Sequence, residues 1–291
     1  MSRKHPPWIR VKISQNDEVT RMRNLVSSRG LHTVCEGASC PNIGECWGRG
    51  TATFMILGGI CTRNCRFCDV PPGEPEPPSY DEPARVADAI RALGLRHAVI
   101  TSVTRDDLSD GGAALWAETI HQVRAANPDC RIEVLVPDFQ GDTIALQLVF
   151  DARPDIFGHN LETIARLYAA ARPQAIYWRS LKVLQQAKQA GLLTKSGVML
   201  GMGETFDEIL AAMQDLRNVG CDLLSLGQYL QPTVQHIPIE RYWTPEEFEQ
   251  LRDEGERLGF QHVEAGPLVR SSYHADQVEI PSFLTKGVSE K

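Results

Sequence analysis

An α/β protein built on a parallel sheet is what this chain predicts, with a partial (β/α)6 barrel as first choice and a doubly wound open sheet as the alternative. Three observations lead there. Short β-branched or apolar runs recur six times, at 52–57, 97–103, 131–136, 155–159, 195–200 and 222–227. Amphipathic helical patterns lie between them, so the strands need crossover connections and run parallel. Six such units also fall short of the eight that close a full barrel.

In chain order, a polar N-terminal extension (residues 1–50) carries a predicted helix at 17–29 that stops at Gly30. Between the strands, Pro83 to Leu93 reads as a helix with Gly94 behind it, as do Ala113 to Ala126 and Glu204 to Val219 with Gly220 behind it. A last helix is expected at 245–258, opened by Thr244 as N-cap with Pro245 at the first helical position. The barrel is therefore expected over 51–260, followed by a C-terminal extension, 261–291.

A length of 291 residues suits one large domain or two small ones, and 42% hydrophobic with 23% charged residues is ordinary for a globular protein. A net charge of -7 and a pI near 5.7 argue against an extended phosphate-binding surface, so nucleic acid is not an expected partner. No apolar run approaches the ~20 residues that span a bilayer, and M-S-R-K-H-P-P-W-I-R lacks a signal-peptide core. The chain is expected to be cytoplasmic with no membrane partner and, showing no heptad pattern, a monomer. In a reducing compartment its eight cysteines are better read as metal ligands than as disulfides. Cys130 and Cys221, at predicted strand edges, read as small buried thiols.

The densest chemistry lies in G-G-I-C-T-R-N-C-R-F-C-D-V, where Cys61, Cys65 and Cys68 form C-x3-C-x2-C with Phe67 before the last cysteine. Three thiolates are one short of saturating a [4Fe-4S] cluster, which leaves one iron open. Structural zinc is the competing reading, but it wants a nearby fourth Cys or His, and none follows before P-P-G-E-P-E-P-P. Upstream, Cys35, Cys40 and Cys46 form C-x4-C-x5-C in a segment that Gly37, Pro41 and Gly44 keep irregular, as suits a loop around a metal. This spacing matches no common zinc or ferredoxin pattern.

The C-x3-C-x2-C triplet resembles the radical S-adenosylmethionine (SAM) superfamily, and the two triplets together resemble its lipoyl synthase family. Further matches are P-P-W-I-R-V-K, T-S-V-T-R-D-D-L-S-D-G-G, G-H-N-L-E-T, T-K-S-G-V-M-L-G-M-G-E-T, Q-Y-L-Q-P-T and R-S-S-Y-H-A. The resemblance implies a TIM-type partial barrel and two [4Fe-4S] clusters. Cys61, Cys65 and Cys68 would hold the cluster whose open iron takes SAM. Cys35, Cys40 and Cys46 would hold an auxiliary cluster completed by Ser271, the first serine of R-S-S-Y. On residue type alone Ser271 reads as a turn serine. A serine alkoxide is a poor iron ligand beside thiolate, which fits a cluster meant to be dismantled. The implied reaction inserts sulfur at C6 and C8 of an octanoyl chain amide-linked to a lysine of a lipoyl-domain or carrier protein. Ser271, Cys61, Cys65 and Cys68 would carry the catalysis, with one SAM spent per hydrogen abstracted. The auxiliary cluster would donate the sulfur, and an electron donor of unknown identity would supply reducing equivalents.

The expected SAM contacts follow the strand ends. Thr101 and Ser102 stand where many radical SAM enzymes bind the methionyl amino group, although the usual Gly-Gly-Glu motif is missing. Asn160 and Glu162 follow the fourth predicted strand, as ribose or methionyl ligands or as helix-capping groups. Lys195 opens the fifth strand, and G-V-M-L-G-M-G-E, with Gly201 and Glu204, approximates the adenine-supporting element. Phe67 is a candidate to stack on adenine. Asp106 and Asp107 read equally well as surface turn residues. Arg3, Lys4, Arg10 and Lys12 read as a solvated arm or as contacts to an acidic carrier, and His274 as a surface or supporting group.

Overall fold

The computed structural model describes residues 5–10, 17–37, 40, 42–48 and 51–273. Arg3, Lys4, Lys12, Pro41 and His274 lie outside them.

Helix α1 (Asp17–Ser28) leads into a two-residue strand β1 (His32–Thr33) and the short helices α2 (Val34–Gly37) and α3 (Ile43–Gly48). The sheet continues with β2 (Thr53–Ile56), β3 (His97–Ser102), β4 (Arg131–Leu135), β5 (Ile156–Gly158), β6 (Thr194–Leu200), β7 (Leu223–Gln228) and β8 (His262–Gly266). Between them run α4 (Glu82–Leu93), α5 (Ala113–Ala126), α6 (Thr143–Asp151), α7 (Tyr168–Ala171), α8 (Tyr177–Gln189), α9 (Phe206–Asn218) and α10 (Pro245–Arg257). Strand order follows chain order from β1 to β8, with β1 antiparallel to β2 and every later pair parallel.

The predicted strands are β2 to β7, each within a residue or two of its expected bounds. β8 extends the sheet into residues expected to be a C-terminal extension. H-V-E-A-G carries little strand signal, because only Val263 is fully buried; the parallel register of Leu224 with Val263 makes it a strand. α9 starts at Phe206, two residues past the expected Glu204. Thr205 caps it, accepting from Glu208 N while Glu208 returns a bond to the Thr205 amide. α10 opens at Pro245 with the same reciprocal cap between Thr244 and Glu247.

The apolar core has two lobes. One gathers Phe54, Ile100, Trp116, Ile132 and Phe157 beneath α1 and α4 to α6; the other gathers Leu184, Leu200, Leu226, Trp243 and Phe248 beneath α8 to α10. The segment after β8 links the sheet's two ends. It crosses β7 at Gly227, where a Cβ would fall 2.1 Å from Val269 O, and reaches β2, where Thr53 donates to Ser272. Asn42 Nδ2 donates to Leu268 O at 2.6 Å and Tyr273 donates to Glu45, so the N-terminal cysteine region is pinned to the C-terminal segment.

Candidate active site

β2 ends at Ile56, and the chain leaves the sheet through Leu57 (φ 67°) and Gly58 (φ 99°). Glu82 of α4 accepts from Leu57 N at 2.7 Å, setting the exit direction. The cysteine loop then closes on itself: Cys61 N donates to Pro71 O, and Gly73 N returns a bond to Cys61 O, both at 2.9 Å. Cys61 Sγ accepts from Arg63 N at 3.4 Å and Thr104 N at 3.3 Å.

Arg63 locks this loop. Its buried guanidinium donates to Asp106 at 2.6 and 2.9 Å and to Asp138 at 2.6 Å. Burial opposes ionisation of Asp138, but Arg63 overrides it and holds the carboxyl at about 2. Asp106 is thus a brace for the loop, while Asp107 pairs with buried Arg105. Burial raises the Cys65 thiol, with Arg172 pulling against it. Cys68 is pushed up to about 12 by burial and by the neighbouring thiols Cys65 and Cys61. Thiols crowded in this way lose their protons when a metal takes them.

Beside this loop is a cavity of about 60 Å³ lined by Glu162, Gly197, Met199, Gly227, Arg270 and Ser271. Asn160 Nδ2 donates to Glu162 Oε1 at 3.1 Å and to Ser271 Oγ at 2.6 Å. Glu162 holds a φ of 69° and bridges to Val198, with its carboxyl raised by burial against the pull of Arg172. Among the described residues Ser102 Oγ is buried without a partner, whereas Thr101 Oγ1 donates to Leu135 O at 2.8 Å and is spent on the sheet. Phe67 packs with Met199 against Ala171, Met202, Tyr229 and Ile239.

Two expected SAM contacts have protein partners. Lys195 Nζ donates to buried Glu133 at 2.8 Å, and His97 binds the other carboxylate oxygen at 3.1 Å. Lys195 lies near the start of β6, away from the carboxyl end where ligands bind, and its charge is needed by Glu133. Glu204 accepts from Gly201 N, from Met202 N at 2.9 Å and from Trp243 Nε1 at 2.8 Å, so it shapes the loop rather than facing a ligand. Gly201 is required there: at φ 116°, a Cβ would fall 2.1 Å from Gln228 Nε2.

The upstream triplet forms a second, smaller pocket, where Cys35, Cys40 and Cys46 stand with Thr53, Arg270 and Ser272. Cys40 N donates to Cys35 O at 3.0 Å and Cys46 N to Asn42 O at 2.9 Å, which folds the three cysteines around one space. Burial raises the Cys35 and Cys40 thiols, and Arg270 opposes the rise at Cys40. The two serines of R-S-S-Y part here. Ser272 lines this cavity, and Ser271 turns the other way onto Asn160. Adjacent residues in the turn at 271–273 point their side chains to different sides.

Iron–sulfur clusters fit these residues. Among the described residues no three His, Cys, Asp or Glu side chains converge as one metal ion needs. A cubane asks for wider spacing, since each thiolate takes its own iron. Buried donors reach both sites: the Trp47 side chain hydrogen-bonds Cys35 and the Arg172 side chain Cys65, while Ser102 Oγ at the end of β3 has no partner among the described residues. Asp138 and Arg172 have no sequence signal of their own, and only the fold brings them to the cysteine loop, whereas Arg63 lies inside C-x3-C-x2-C and Arg270 opens R-S-S-Y.

The Radical SAM superfamily model matches residues 55–216. The lipoyl synthase of Rubrobacter xylanophilus is 54% identical over 94% of this chain and 85% of its own length. That of Chlorobaculum parvum is 52% identical over 95% of each. Among solved structures, Streptococcus suis SuiB bound to S-adenosylmethionine superposes with a TM-score of 0.60 at 11% identity, over 83% of this chain and 58% of that one. Methylornithine synthase (PylB) does so with 0.56 at 13%, over 87% and 72%. These two likenesses concern the fold alone. With the family model covering more than half of the chain and relatives this similar along nearly all of it, the chain belongs to the lipoyl synthase family of the radical SAM superfamily.

Proposed function

We propose that this radical SAM enzyme inserts two sulfur atoms, at C6 and C8, into an octanoyl chain on a lysine of a carrier protein. The sulfur comes from a [4Fe-4S] cluster on Cys35, Cys40, Cys46 and Ser272. The observation that carries this reading is the segment Arg270–Ser272, which lines both cavities and so joins a SAM site to a second cysteine site. When bound, the clusters and SAM supply a one-electron cleavage of SAM, a radical able to take hydrogen from an alkyl carbon, and sulfide.

The chain's own residues hold and shield this chemistry. Cys61, Cys65 and Cys68 hold the first cluster, and the Arg63 and Thr104 amides stabilise charge on Cys61 Sγ. Asn160, Glu162 and Ser102 are the polar groups offered to the ribose and methionyl ends of SAM. Phe67 and Met199 supply an apolar wall against water, which limits side reactions of a radical. Ser272, the one oxygen ligand, marks the iron most readily released from the sulfur-donating site.

The test is the mass of an octanoyl-lysyl peptide after anaerobic incubation with reconstituted protein, SAM and a strong reductant. A product gaining two sulfurs as thiols is expected, each C–H replaced by C–SH, with cluster-derived ³⁴S in it when the clusters are built from labelled sulfide. In Ser272→Ala, 5′-deoxyadenosine is expected without that product. Cleavage of SAM with no sulfur gained by the wild type would overturn the substrate.

A further inference from the structure

Ser271 and Ser272 are neighbours in the chain, yet their hydroxyls serve different cavities. Ser272 meets Thr53 and the upstream cysteines, while Ser271 Oγ lies 2.6 Å from Asn160 Nδ2. Asn160 Nδ2 also donates to Glu162 Oε1 at 3.1 Å, so one side-chain amide ties the serine to the carboxyl.

The fold makes room for this contact on purpose-built bare backbone. A Cβ on Gly197 would fall 2.8 Å from Asn160 Oδ1 and 3.1 Å from Ser271 Oγ. One strand over, a Cβ on Gly227 would meet Val269 O at 2.1 Å. Glycines on β6 and β7 thus open a track for the C-terminal segment, and Asn160 is orientated by a residue far away in sequence.

We propose that Ser271 is a positioning residue for SAM: it fixes the Asn160 amide for the ligand, and so couples SAM affinity to docking of the segment that Ser272 anchors at the upstream cysteine site. This rests on the SAM and cluster reading above. Coupling of this kind is reciprocal, so a chain whose upstream site has been emptied binds SAM less tightly than the intact one.

The experiment is equilibrium dialysis of SAM against reconstituted wild type, Ser271→Ala, Ser271→Thr and Asn160→Ala, together with iron counts for each. Loss of one buried hydrogen bond weakens SAM binding about 10-fold in Ser271→Ala. Ser271→Thr, which keeps the hydroxyl, stays close to wild type, and iron content is unchanged in both. Adding Ser271→Ala to Asn160→Ala brings no further loss, since the serine acts through the amide. Unchanged SAM affinity in Ser271→Ala, or loss of the upstream cluster's iron from it, overturns the proposal. Failure of the wild type to make the sulfur product while Ser271→Ala still weakens SAM binding would instead count against the function reading alone.

Discussion

The two cysteine sites are assembled by opposite strategies. Cys61, Cys65 and Cys68 sit in one loop after β2, closed by its own backbone bonds and clamped by Arg63. Cys35, Cys40 and Cys46 lie on short helices and turns, and their cavity is completed only when Arg270 and Ser272 arrive from the far end of the chain. The first site is a property of a loop; the second is a property of the whole fold.

Breaking the first site has the largest effect. Cys61→Ala, Cys65→Ala or Cys68→Ala each abolishes 5′-deoxyadenosine formation, measured by chromatography of the anaerobic reaction, because SAM loses its cluster. At the second site, Cys46→Ala or Ser272→Ala removes the sulfur product but leaves 5′-deoxyadenosine, with about half the iron gone. Gly227→Ala sharpens the contrast. Its new Cβ collides with Val269 O, displacing the terminal segment, so iron and sulfur transfer fall at the upstream site while the visible signature of the first cluster persists.

Arg63→Met tests the clamp. It leaves Asp138 buried beside Arg179 alone and costs roughly 3–5 kcal/mol at neutral pH, read by chemical denaturation. Asp138 titrates lower folded than unfolded, so the stabilisation it shares with Arg63 is complete above the ordinary carboxyl range and fades as pH falls toward about 2. The stability gap between wild type and Arg63→Met therefore narrows over that range. Thr244→Ala is the smallest change: loss of the α10 cap costs about 1 kcal/mol and leaves both sites loaded.

Legibility follows the same divide. The C-x3-C-x2-C loop and its place after the first strand are written in consecutive residues, and so are strands β2 to β7, whose apolar runs are long enough to read. β8 is not, since its strand state depends on β7 beside it. Lys195 reads as a ligand because it opens a strand next to a glycine-rich element; its charge answers Glu133 from another strand, whose second carboxylate oxygen His97 holds. Glu204 is expected at the head of a helix and beside adenine; its three donors, including Trp243 from far downstream, make it a brace of the loop before α9.

By itself the sequence determined the α/β class, the parallel order, the cysteine triplets and the family, because periodicity, turn residues and ligand spacing are all short-range properties of a chain. Only the tertiary structure decided which serine of R-S-S-Y faces the cysteines and which faces Asn160. The reason is geometric. Consecutive residues in a turn are equivalent in sequence, and which side each hydroxyl takes is set by the bare glycines of β6 and β7 and by Thr53 of β2, none of them near the serines until the chain folds.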